Sequence, residues 1–418
     1  MLRMLVLVAC AAALTELSPP AVASAANPAG TLVRAVRDGL PRVEPALVGM
    51  SRERLAVIDR VVGNAIAAGG FPGAAVIVGR HGAVVWERGY GTLGVPSHAA
   101  VDPERTLYDL ASLTKVVATS AAAMVLVDRG RLRLDDRVGR YLPEFREGLK
   151  SQVTIRQLLT HTSGLPVGRG LSSRSPSASR RLILRAPLVA APGERSAYSD
   201  VGPDVLGFVI ERVTGMPLER FVRRAIYTPL GMRNTTFRPS PAMVPRVAPT
   251  ERGVPRGEVH DGNARALGGV AGHAGLFATA SDLAIFAQFM LERGRYRGTR
   301  LVHDCTVARF TRRAVGVGRQ ALGWETCAGG ASCGRLLGTT AFGHDGFTGT
   351  SMWVDPERDL FVIVLTNWLA GSTRGSVAPV AVLHDVRSDI ADLAALAVID
   401  GEVREMPEHL RSDTRIGW

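Results

Sequence analysis

A serine and a lysine, three residues apart, open the most apolar stretch of the chain. Ser112 and Lys115 begin the sequence SLTKVVATSAAAMVLVDRG, which ends at Gly130. Residues three apart are neighbours on one face of a helix, so the hydroxyl would lie beside the amine. An adjacent base activates a serine hydroxyl, and a lysine is such a base when burial or a positive potential lowers its pKa. The spacing therefore predicts a Ser-Lys pair for nucleophilic catalysis.

Lysine is rare in this chain, which makes its position informative. Only Lys115 and Lys150 occur, and arginine supplies the rest of the 50 basic residues. Arginine does not deprotonate in proteins and could not serve as a base in place of Lys115. The alternative interpretation is a capped core helix whose lysine reaches solvent.

Two further stretches place polar groups beside glycine. Tyr198 and Asp200 follow a Pro-Gly turn at 192–193. The segment 343–350, GHDGFTGT, is rich in glycine, as expected where a backbone must approach another group closely. We expect both stretches to meet the Ser-Lys pair at one cleft.

Hydrophobic periodicity predicts strands at both ends of the chain and helices between them, which indicates an α/β (α+β) fold. In this interpretation a sheet built from both termini carries a mostly helical insertion at about 131–300. The predicted helices are 51–69, the stretch after 112, 151–159, 202–214, 218–226, 281–292 and 377–398, and the predicted strands are 74–78, 83–86, 351–354 and 360–365. Residues 167–180 and 238–265 are expected to be loops, the first of them mobile.

Taken together, these motifs resemble the serine β-lactamase and penicillin-binding protein family, in its class C-like and esterase branch. SLTK at 112, YSD at 198 and HDG at 344 match the three motifs of that family. The phrases LLTHTSGLP at 158, PLGMRNTTF at 229 and GGVAGHAGLFATASDLAIF at 268 also resemble this branch. The resemblance covers roughly residues 50–400. It implies a β-lactamase/transpeptidase-like fold, in which an antiparallel sheet from both termini is flanked by helices and carries the helical insertion.

The resemblance also implies an acyl-enzyme mechanism with no metal or organic cofactor. Ser112 would attack a carbonyl group and Lys115 would take its proton. Tyr198 would pass that proton to the leaving group, and water would release the acyl group. The backbone N–H groups of Ser112 and Phe347 would form the oxyanion hole, where negative charge develops.

Three positions depart from the family pattern and bear on the substrate. Asp200 stands where the family has asparagine, and its carboxylate would favour a charged Lys115. His344 replaces a lysine that would hold a substrate carboxylate, and Asp345 adds negative charge. We expect His344, Asp345, Gly346, Thr348 and Asp200 to contact substrate. The site should therefore disfavour β-lactams and peptides ending in D-alanine, and prefer neutral esters or amides, or acyl groups that bear an amine.

The N-terminus has the pattern of a secretory signal. Leu5–Leu14 is apolar, and small residues at 21–25 offer cleavage sites. We divide the chain into a signal peptide at 1–25, a loose lead at 26–50, a hydrolase domain at 51–400 and a tail at 401–418. Export, periplasmic or secreted, is expected. Lipidation at Cys10 is a less favoured alternative.

Cysteine content and net charge place further bounds on the function. Cys327 and Cys333 flank a short loop and either pair in an oxidising compartment or remain free thiols. No Cys/His spacing resembles a zinc site. The net charge of +12 comes from scattered arginines without a nucleic-acid-binding motif. A solvated basic surface, with peripheral contact to anionic envelope material, is the preferred interpretation, and no nucleic-acid partner is expected.

The predicted function is a secreted serine hydrolase that acts on a small-molecule or peptidoglycan-derived ester or amide, including D-aminoacyl substrates. The nearest alternatives are a β-lactamase or a DD-carboxypeptidase. A rival of another class is a non-catalytic envelope binding protein with the same fold, in which the serine traps acyl groups slowly.

Overall fold

Two apolar strands from opposite ends of the chain lie side by side at the centre of the structure. We analysed a computed structural model, which describes residues 39–95, 97–168, 170–171, 175–327, 332–371, 380–401, 405–406 and 410. Val76 of the first strand faces Val364 of the last, in antiparallel register. Both strands are buried along their whole length, which explains their continuous apolar sequence. The predicted sheet from both termini is confirmed.

The strands form one six-stranded antiparallel sheet and two short pairs. They are β1 Gly73–Arg80, β2 Ala83–Gly91, β3 Tyr108–Asp109, β4 Phe277–Ala278, β5 Arg295–Tyr296, β6 Thr299–Arg300, β7 Glu325–Thr326, β8 Phe342–Gly346, β9 Thr350–Asp355 and β10 Leu360–Thr366. The order in the large sheet is β2-β1-β10-β9-β8-β7, and β3–β4 and β5–β6 pair separately. The β8–β9 hairpin therefore carries the glycine-rich motif near one side of the sheet.

Helices cover both faces of this sheet. They are α1 Arg52–Ala67, α2 Ala121–Asp128, α3 Ile155–Leu159, α4 Pro176–Leu184, α5 Val201–Thr214, α6 Leu218–Val222, α7 Thr228–Leu230, α8 Gly262–Ala266, α9 Ala280–Leu291, α10 Asp304–Thr311, α11 Trp368–Gly371 and α12 Val380–Leu396. Two π-helical segments, Lys115–Ser120 and Arg223–Tyr227, precede α2 and α7. Short 3₁₀ turns occur at Pro45–Val48, Val138–Arg140, Pro143–Phe145, Gly148–Gln152 and Val244–Arg246.

Alternate residues of β10 belong to two separate hydrophobic clusters. Leu360, Val362 and Val364 pack with the terminal helices α1 and α12, whereas Phe361, Ile363 and Leu365 pack with α2, α9 and the helical insertion. The terminal helices thus cover one face of the sheet. The other face supports the helix that begins with the Ser-Lys pair.

Two sequence predictions need correction. Residues 39–50 are not loose, because Met50 is buried and forms a bridge with Val398, and Arg42 pairs with the backbone of Val84. The predicted mobile loop at 167–180 is wrong at its end, where α4 begins at Pro176. Ser175 caps that helix by accepting a hydrogen bond from the amide of Ala178, and proline is favoured at the first helical position.

The signal peptide and the C-terminal tail stay predictions. Residues 1–38, with the predicted signal peptide, lie outside the described residues, as does most of the predicted tail at 401–418. Among the residues that the structure does describe, no helix is long and apolar enough to cross a membrane. Within the same residues, no group of histidine, cysteine and acidic side chains could hold a metal ion.

Candidate active site

Ser112 lies in a strained turn between β3 and the buried helix. The preceding residue, Ala111, has a φ of 45°, in the left-handed region that non-glycine residues rarely adopt. The buried carboxylate of Asp109 holds this turn, because it accepts a hydrogen bond from the amide of Ala111 at 2.9 Å. Strained backbone of this kind is found preferentially at functional sites.

The ammonium group of Lys115 has three acceptors within reach. Its Nζ donates to Ser112 Oγ at 2.8 Å and to the carbonyl oxygen of His273 at 3.3 Å, and it pairs with Asp200 Oδ1 at 2.7 Å. An ammonium has three N–H donors and a neutral amine has two, so three acceptors fit the charged form. Burial disfavours the charge, but Tyr198 and Asp200 outweigh it and raise the pKa of Lys115.

Asp200 is held ionised by the same contact. Burial alone would raise the pKa of this carboxyl, but the positive charges of Lys115 and His273 hold the pKa below its usual value. The side chain of Asp200 is 28% exposed, so part of it faces the cleft. The sequence-based expectation that Asp200 favours a charged Lys115 is confirmed.

Tyr198 completes the cluster around the serine. Its hydroxyl donates to Ser112 Oγ at 2.8 Å, and its ring lies 4.8 Å from Lys115 Nζ. The structure thus brings together the three side chains that were predicted to be catalytic. Ser112 Oγ receives hydrogen bonds from an ammonium and from a phenol at the same time.

The motif on β8 divides between the two faces of the sheet. The ring of His344 lies 6.1 Å from that of Tyr198, on the catalytic face. Asp345, the next residue, points to the opposite face, where its carboxylate accepts a hydrogen bond from Ser332 and lies 3.6 Å from Arg387 Nη1. The prediction that Asp345 contacts substrate is therefore not supported, because a buried arginine of α12 neutralises it behind the sheet.

The turn after β8 is packed directly against the turn of Ser112. Thr348 is buried and donates to the carbonyl oxygen of Asp109 at 2.6 Å, so its hydroxyl holds the hairpin and is not open to substrate. A Cβ on Gly346 would lie 2.4 Å from the carbonyl oxygen of Leu110, which explains the glycine. The carbonyl oxygen of Gly346 accepts a hydrogen bond from Arg387 Nη2 at 2.8 Å. Substrate contact by Gly346 stays a prediction, and the predicted role of Thr348 is corrected.

The amides of Ser112 and Phe347 are the predicted oxyanion hole. Among the described residues, neither amide donates a hydrogen bond to another group. Unpaired N–H groups beside a nucleophile are available to a developing oxyanion. The Phe347 side chain is 60% exposed and lies beside His260, with 5.5 Å between the ring centroids.

A comparison with known proteins agrees with this geometry. A sequence profile of the beta-lactamase family matches residues 58–387. The chain belongs to the beta-lactamase family. A relative from Salmonella agona, named "Putative D-alanyl-D-alanine carboxypeptidase", is 34% identical over 372 residues, which cover 78% of this chain and 86% of the relative.

Solved structures show the same fold. EstCE1, described as a hydrolase with promiscuous acyltransferase activity, superposes with a TM-score of 0.65 and 25% identity, over 81% of this chain and 99% of its own. A penicillin-binding protein homologue from Caulobacter crescentus gives a TM-score of 0.67 at 23% identity, over 84% of this chain and 99% of its own. By family and by fold this chain is therefore a serine beta-lactamase-fold hydrolase, and the cluster around Ser112 is its candidate active site.

His161 packs against Tyr198 in the candidate active site of this beta-lactamase family member. Its ring lies 4.7 Å from that of Tyr198, and its Nδ1 accepts a hydrogen bond from the amide of Ser199 at 3.1 Å. The imidazole is neutral, since burial, Lys115 and His344 lower its pKa from 6.5 to about 3. These two contacts hold the ring of Tyr198 and the backbone of Ser199 in place.

We predict that His161 makes the protein less stable in mild acid. The unfolded chain binds a proton on this imidazole below pH 6.5, whereas the folded chain does so only near pH 3. Unfolding therefore takes up a proton between these values, and stability falls as pH falls, by up to about 1.4 kcal/mol per pH unit. In His161→Gln this contribution is absent, while the carboxylates titrate as before.

The measurement is the free energy of urea unfolding of both proteins at pH 7 and pH 5. We expect wild type to lose more stability than His161→Gln over this interval. Equal losses in the two proteins would contradict a buried neutral His161.

Several supporting residues were not predicted from the sequence. Asp204 and Asp261 bind the two ring nitrogens of His273, and Arg387 and Ser332 hold Asp345. The disulfide between Cys327 and Cys333 is formed and ends beside Ser332, whereas Cys305 is free and exposed. Asp204 carried a sequence signal, because it lies four residues after Asp200 on one face of α5. Asp261 carried another, in the His-Asp-Gly-Asn segment at 260–263.

Proposed function

We propose that this chain is an exported serine hydrolase that cleaves an ester or amide through a covalent acyl-enzyme on Ser112. The observation that carries the proposal is the position of Ser112 Oγ, 2.8 Å from both Lys115 Nζ and the Tyr198 hydroxyl. A serine hydroxyl fits acyl transfer when it lies within hydrogen-bond distance of a phenol that can exchange a proton with it and of an ammonium that can stabilise negative charge.

The arrangement supports a proton relay through the tyrosine. When substrate enters, the Tyr198 O–H turns from Ser112 Oγ to the leaving-group atom, which frees the phenol oxygen to accept the Ser112 proton. As Ser112 Oγ forms a bond to the substrate carbonyl carbon, its proton passes to that oxygen, and the proton of Tyr198 passes to the leaving group as the old bond breaks. Lys115 stays an ammonium because Asp200 holds its charge, and it stabilises negative charge in the relay. Water then enters by the reverse sequence and releases the acid.

The charges around Ser112 favour substrates without a carboxylate. The two cations of the cluster, Lys115 and His273, are both paired with carboxylates. His344 stands where a fixed lysine charge would hold an anionic substrate. A neutral ester or amide, or an acyl group with an amine, is therefore the proposed substrate class, and D-aminoacyl and peptidoglycan-derived compounds fall within it. Asp345 adds no charge to the cleft, because it is paired with Arg387 on the other face of the sheet.

A second candidate is a DD-carboxypeptidase. The observation in its favour is the name of the Salmonella agona relative, with which this chain shares 34% identity. Such an enzyme releases D-alanine from a peptide that ends in a carboxylate, so it makes the opposite prediction about anionic substrates. β-Lactamase activity requires the same tolerance of a carboxylate and is disfavoured on the same ground.

We predict that His344→Lys changes the preference between neutral and anionic substrates. The new ammonium would bind a substrate carboxylate, and a charged hydrogen bond is worth about 1.5–3 kcal/mol, or about tenfold or more in kcat/KM. The measurement is kcat/KM for a neutral ester, a β-lactam and a peptide ending in D-alanyl-D-alanine. Wild type should prefer the ester, and His344→Lys should shift the ratio toward both anionic substrates.

Asp345→Thr is the matched control, because its carboxylate lies on the other face of the sheet. We expect it to leave the ratio between substrates unchanged. A wild-type enzyme that releases D-alanine faster than it cleaves neutral esters would support the carboxypeptidase instead. Stoichiometric acylation without turnover of any substrate would favour the acyl-trapping binding protein.

Export and envelope contact remain part of the proposal. The signal-like N-terminus and the net charge of +12 support a protein that crosses the membrane and meets anionic envelope material. Cell fractionation with an antibody to the folded domain tests this. Protein confined to the cytoplasmic fraction would overturn it.

A further inference from the structure

A buried histidine beneath the catalytic lysine is bound on both sides by carboxylates. His273 Nδ1 lies 2.8 Å from Asp204 Oδ1, and His273 Nε2 lies 2.9 Å from Asp261 Oδ1. The side chains of His273 and Asp204 are 3% and 2% exposed. The reaction proposed above uses none of these three side chains directly.

The geometry sets the charge of the ring. A neutral imidazole has one N–H and one bare nitrogen, and a bare nitrogen facing a carboxylate would be repelled. Two carboxylate partners therefore require two N–H donors, that is, an imidazolium. Burial opposes this charge, but Asp204 and Asp261 outweigh it and raise the pKa of His273 to about 10.

One end of this bridge fixes the position of Lys115. Asp204 Oδ1 also accepts hydrogen bonds from the amides of Gly272 at 2.8 Å and His273 at 3.2 Å. These bonds hold the loop whose carbonyl oxygen, that of His273, accepts a hydrogen bond from Lys115 Nζ. Asp204 and Asp200 lie one turn apart at the start of α5, so one helix end carries both carboxylates.

The other end fixes a wall of the cleft. Asp261 caps α8 by accepting a hydrogen bond from the amide of Ala264 at 2.7 Å. The preceding residue, His260, stacks beside Phe347, whose amide is one of the two proposed oxyanion donors. The backbone of His260 also donates to Asp109 at 2.6 Å, beneath the turn of Ser112. A shift of Asp261 would therefore displace His260, and with it the turn of Ser112 and the side chain of Phe347.

We propose that His273 is a positioning residue. The Asp204–His273–Asp261 bridge fixes the position of the cleft wall at His260 relative to the catalytic lysine, Lys115. The kinetic part of this inference rests on the proposed function. The carboxylates that act on the ring are those of Asp204 on α5, Asp261 before α8 and Asp200 before α5. The ammonium of Lys115 contacts the carbonyl oxygen of the same histidine. Loss of the imidazolium would leave the carboxylates of Asp204 and Asp261 without the cation between them. It would also remove one of the three hydrogen bonds by which Asp204 holds the loop below Lys115.

The variants that test the bridge are His273→Gln and Asp261→Asn. A glutamine side chain has one donor nitrogen and cannot serve two carboxylates on opposite sides. We expect kcat for a neutral ester to fall about 10- to 100-fold in His273→Gln, because displacement of a catalytic group by about 1 Å costs up to about 100-fold. Asp261→Asn keeps the cap on α8 but removes one charge, so the alkaline limb of kcat/KM should move to lower pH.

Asp282→Asn is the matched control for Asp261→Asn, because it also replaces a carboxylate by an amide, but at a buried position away from the bridge. Asp282 accepts hydrogen bonds from Asn234 and Thr235 and does not contact the bridge. Its loss should reduce stability without moving the alkaline limb. An equal shift of that limb in Asp282→Asn and Asp261→Asn would overturn the positioning role.

Nitrogen NMR of the ring of His273 gives a readout that needs no turnover. In wild type at pH 8 both ring nitrogens should be protonated, and in Asp261→Asn the ring should lose its proton at lower pH. A neutral ring in the wild-type protein at pH 8 would overturn the inference. Absence of any hydrolysis by wild type, with a charged ring, would contradict the proposed function and leave the bridge intact.

Discussion

Ser112→Ala is expected to abolish turnover and covalent labelling. Removal of a nucleophile from a comparable serine site lowers kcat by several orders of magnitude, and we expect a loss of at least about 10⁴-fold. The physical reason is that Ser112 Oγ is the atom on which Lys115 and Tyr198 converge, and no other serine hydroxyl receives both among the described residues. The measurement is the intact mass after incubation with a fluorophosphonate, together with kcat for a neutral p-nitrophenyl ester.

Ser281→Ala is the control for this experiment. Ser281 lies on α9, and its Oγ contacts Glu87 and the carbonyl oxygen of Pro103. It contacts none of the predicted catalytic groups. We expect this variant to form one adduct, as wild type does. An adduct that persists in Ser112→Ala would place the nucleophile elsewhere, and a folded wild-type protein that forms no adduct would support the non-catalytic binding protein.

Tyr198→Phe is expected to lower kcat by about 10²- to 10⁴-fold, the usual contribution of a positioned acid or base. The proposed mechanism assigns the proton of Ser112 to Tyr198, whereas the family resemblance assigned it to Lys115. All three donors of Lys115 are engaged and Asp200 holds its charge, so the lysine is a poor base in the resting site. The phenol is then the group that exchanges a proton with Ser112, and its loss should lower kcat more than it raises KM.

The control is Tyr141→Phe, which removes a hydroxyl bound to Asp136 outside the catalytic cluster. It should leave kcat within a few-fold of wild type. Asp200→Asn provides a second comparison, because loss of the carboxylate charge makes Lys115 easier to deprotonate. If Tyr198→Phe retained nearly full activity while Lys115→Met did not, the lysine would be the base and the relay proposed here would be wrong.

The sequence predicted the fold and the catalytic centre because both depend on local patterns. The apolar runs of β1 and β10 indicated strands buried on both faces, and these strands form the middle of the sheet. The spacing of Ser112 and Lys115 predicted their contact directly. Tyr198 came from the family resemblance, and the structure places its hydroxyl on the same serine.

The supporting residues could not be predicted in the same way. Strand β8 contains two glycines and no apolar alternation, so nothing in its sequence showed that His344 and Asp345 would face opposite sides. The partners of Asp345 and His273 come from distant segments, α12 in one case and α5 with α8 in the other. The pair at Asp345 depends on the register of the sheet, and the pairs at His273 depend on how the helices of the insertion pack. A single sequence shows neither.

The pairing of β1 with β10 has a consequence for how the chain folds. Ala74 faces Thr366, so nearly three hundred residues must be synthesised between the two halves of the central ladder. Contacts that distant in sequence close slowly, because the entropy of ordering the loop is lost before the contact forms. Until β10 has been synthesised, the hairpin of β1 and β2 therefore has an unpaired apolar edge along β1. A chain cut short before residue 360 would keep its nucleophile and lack the strand that joins the two sides of the sheet.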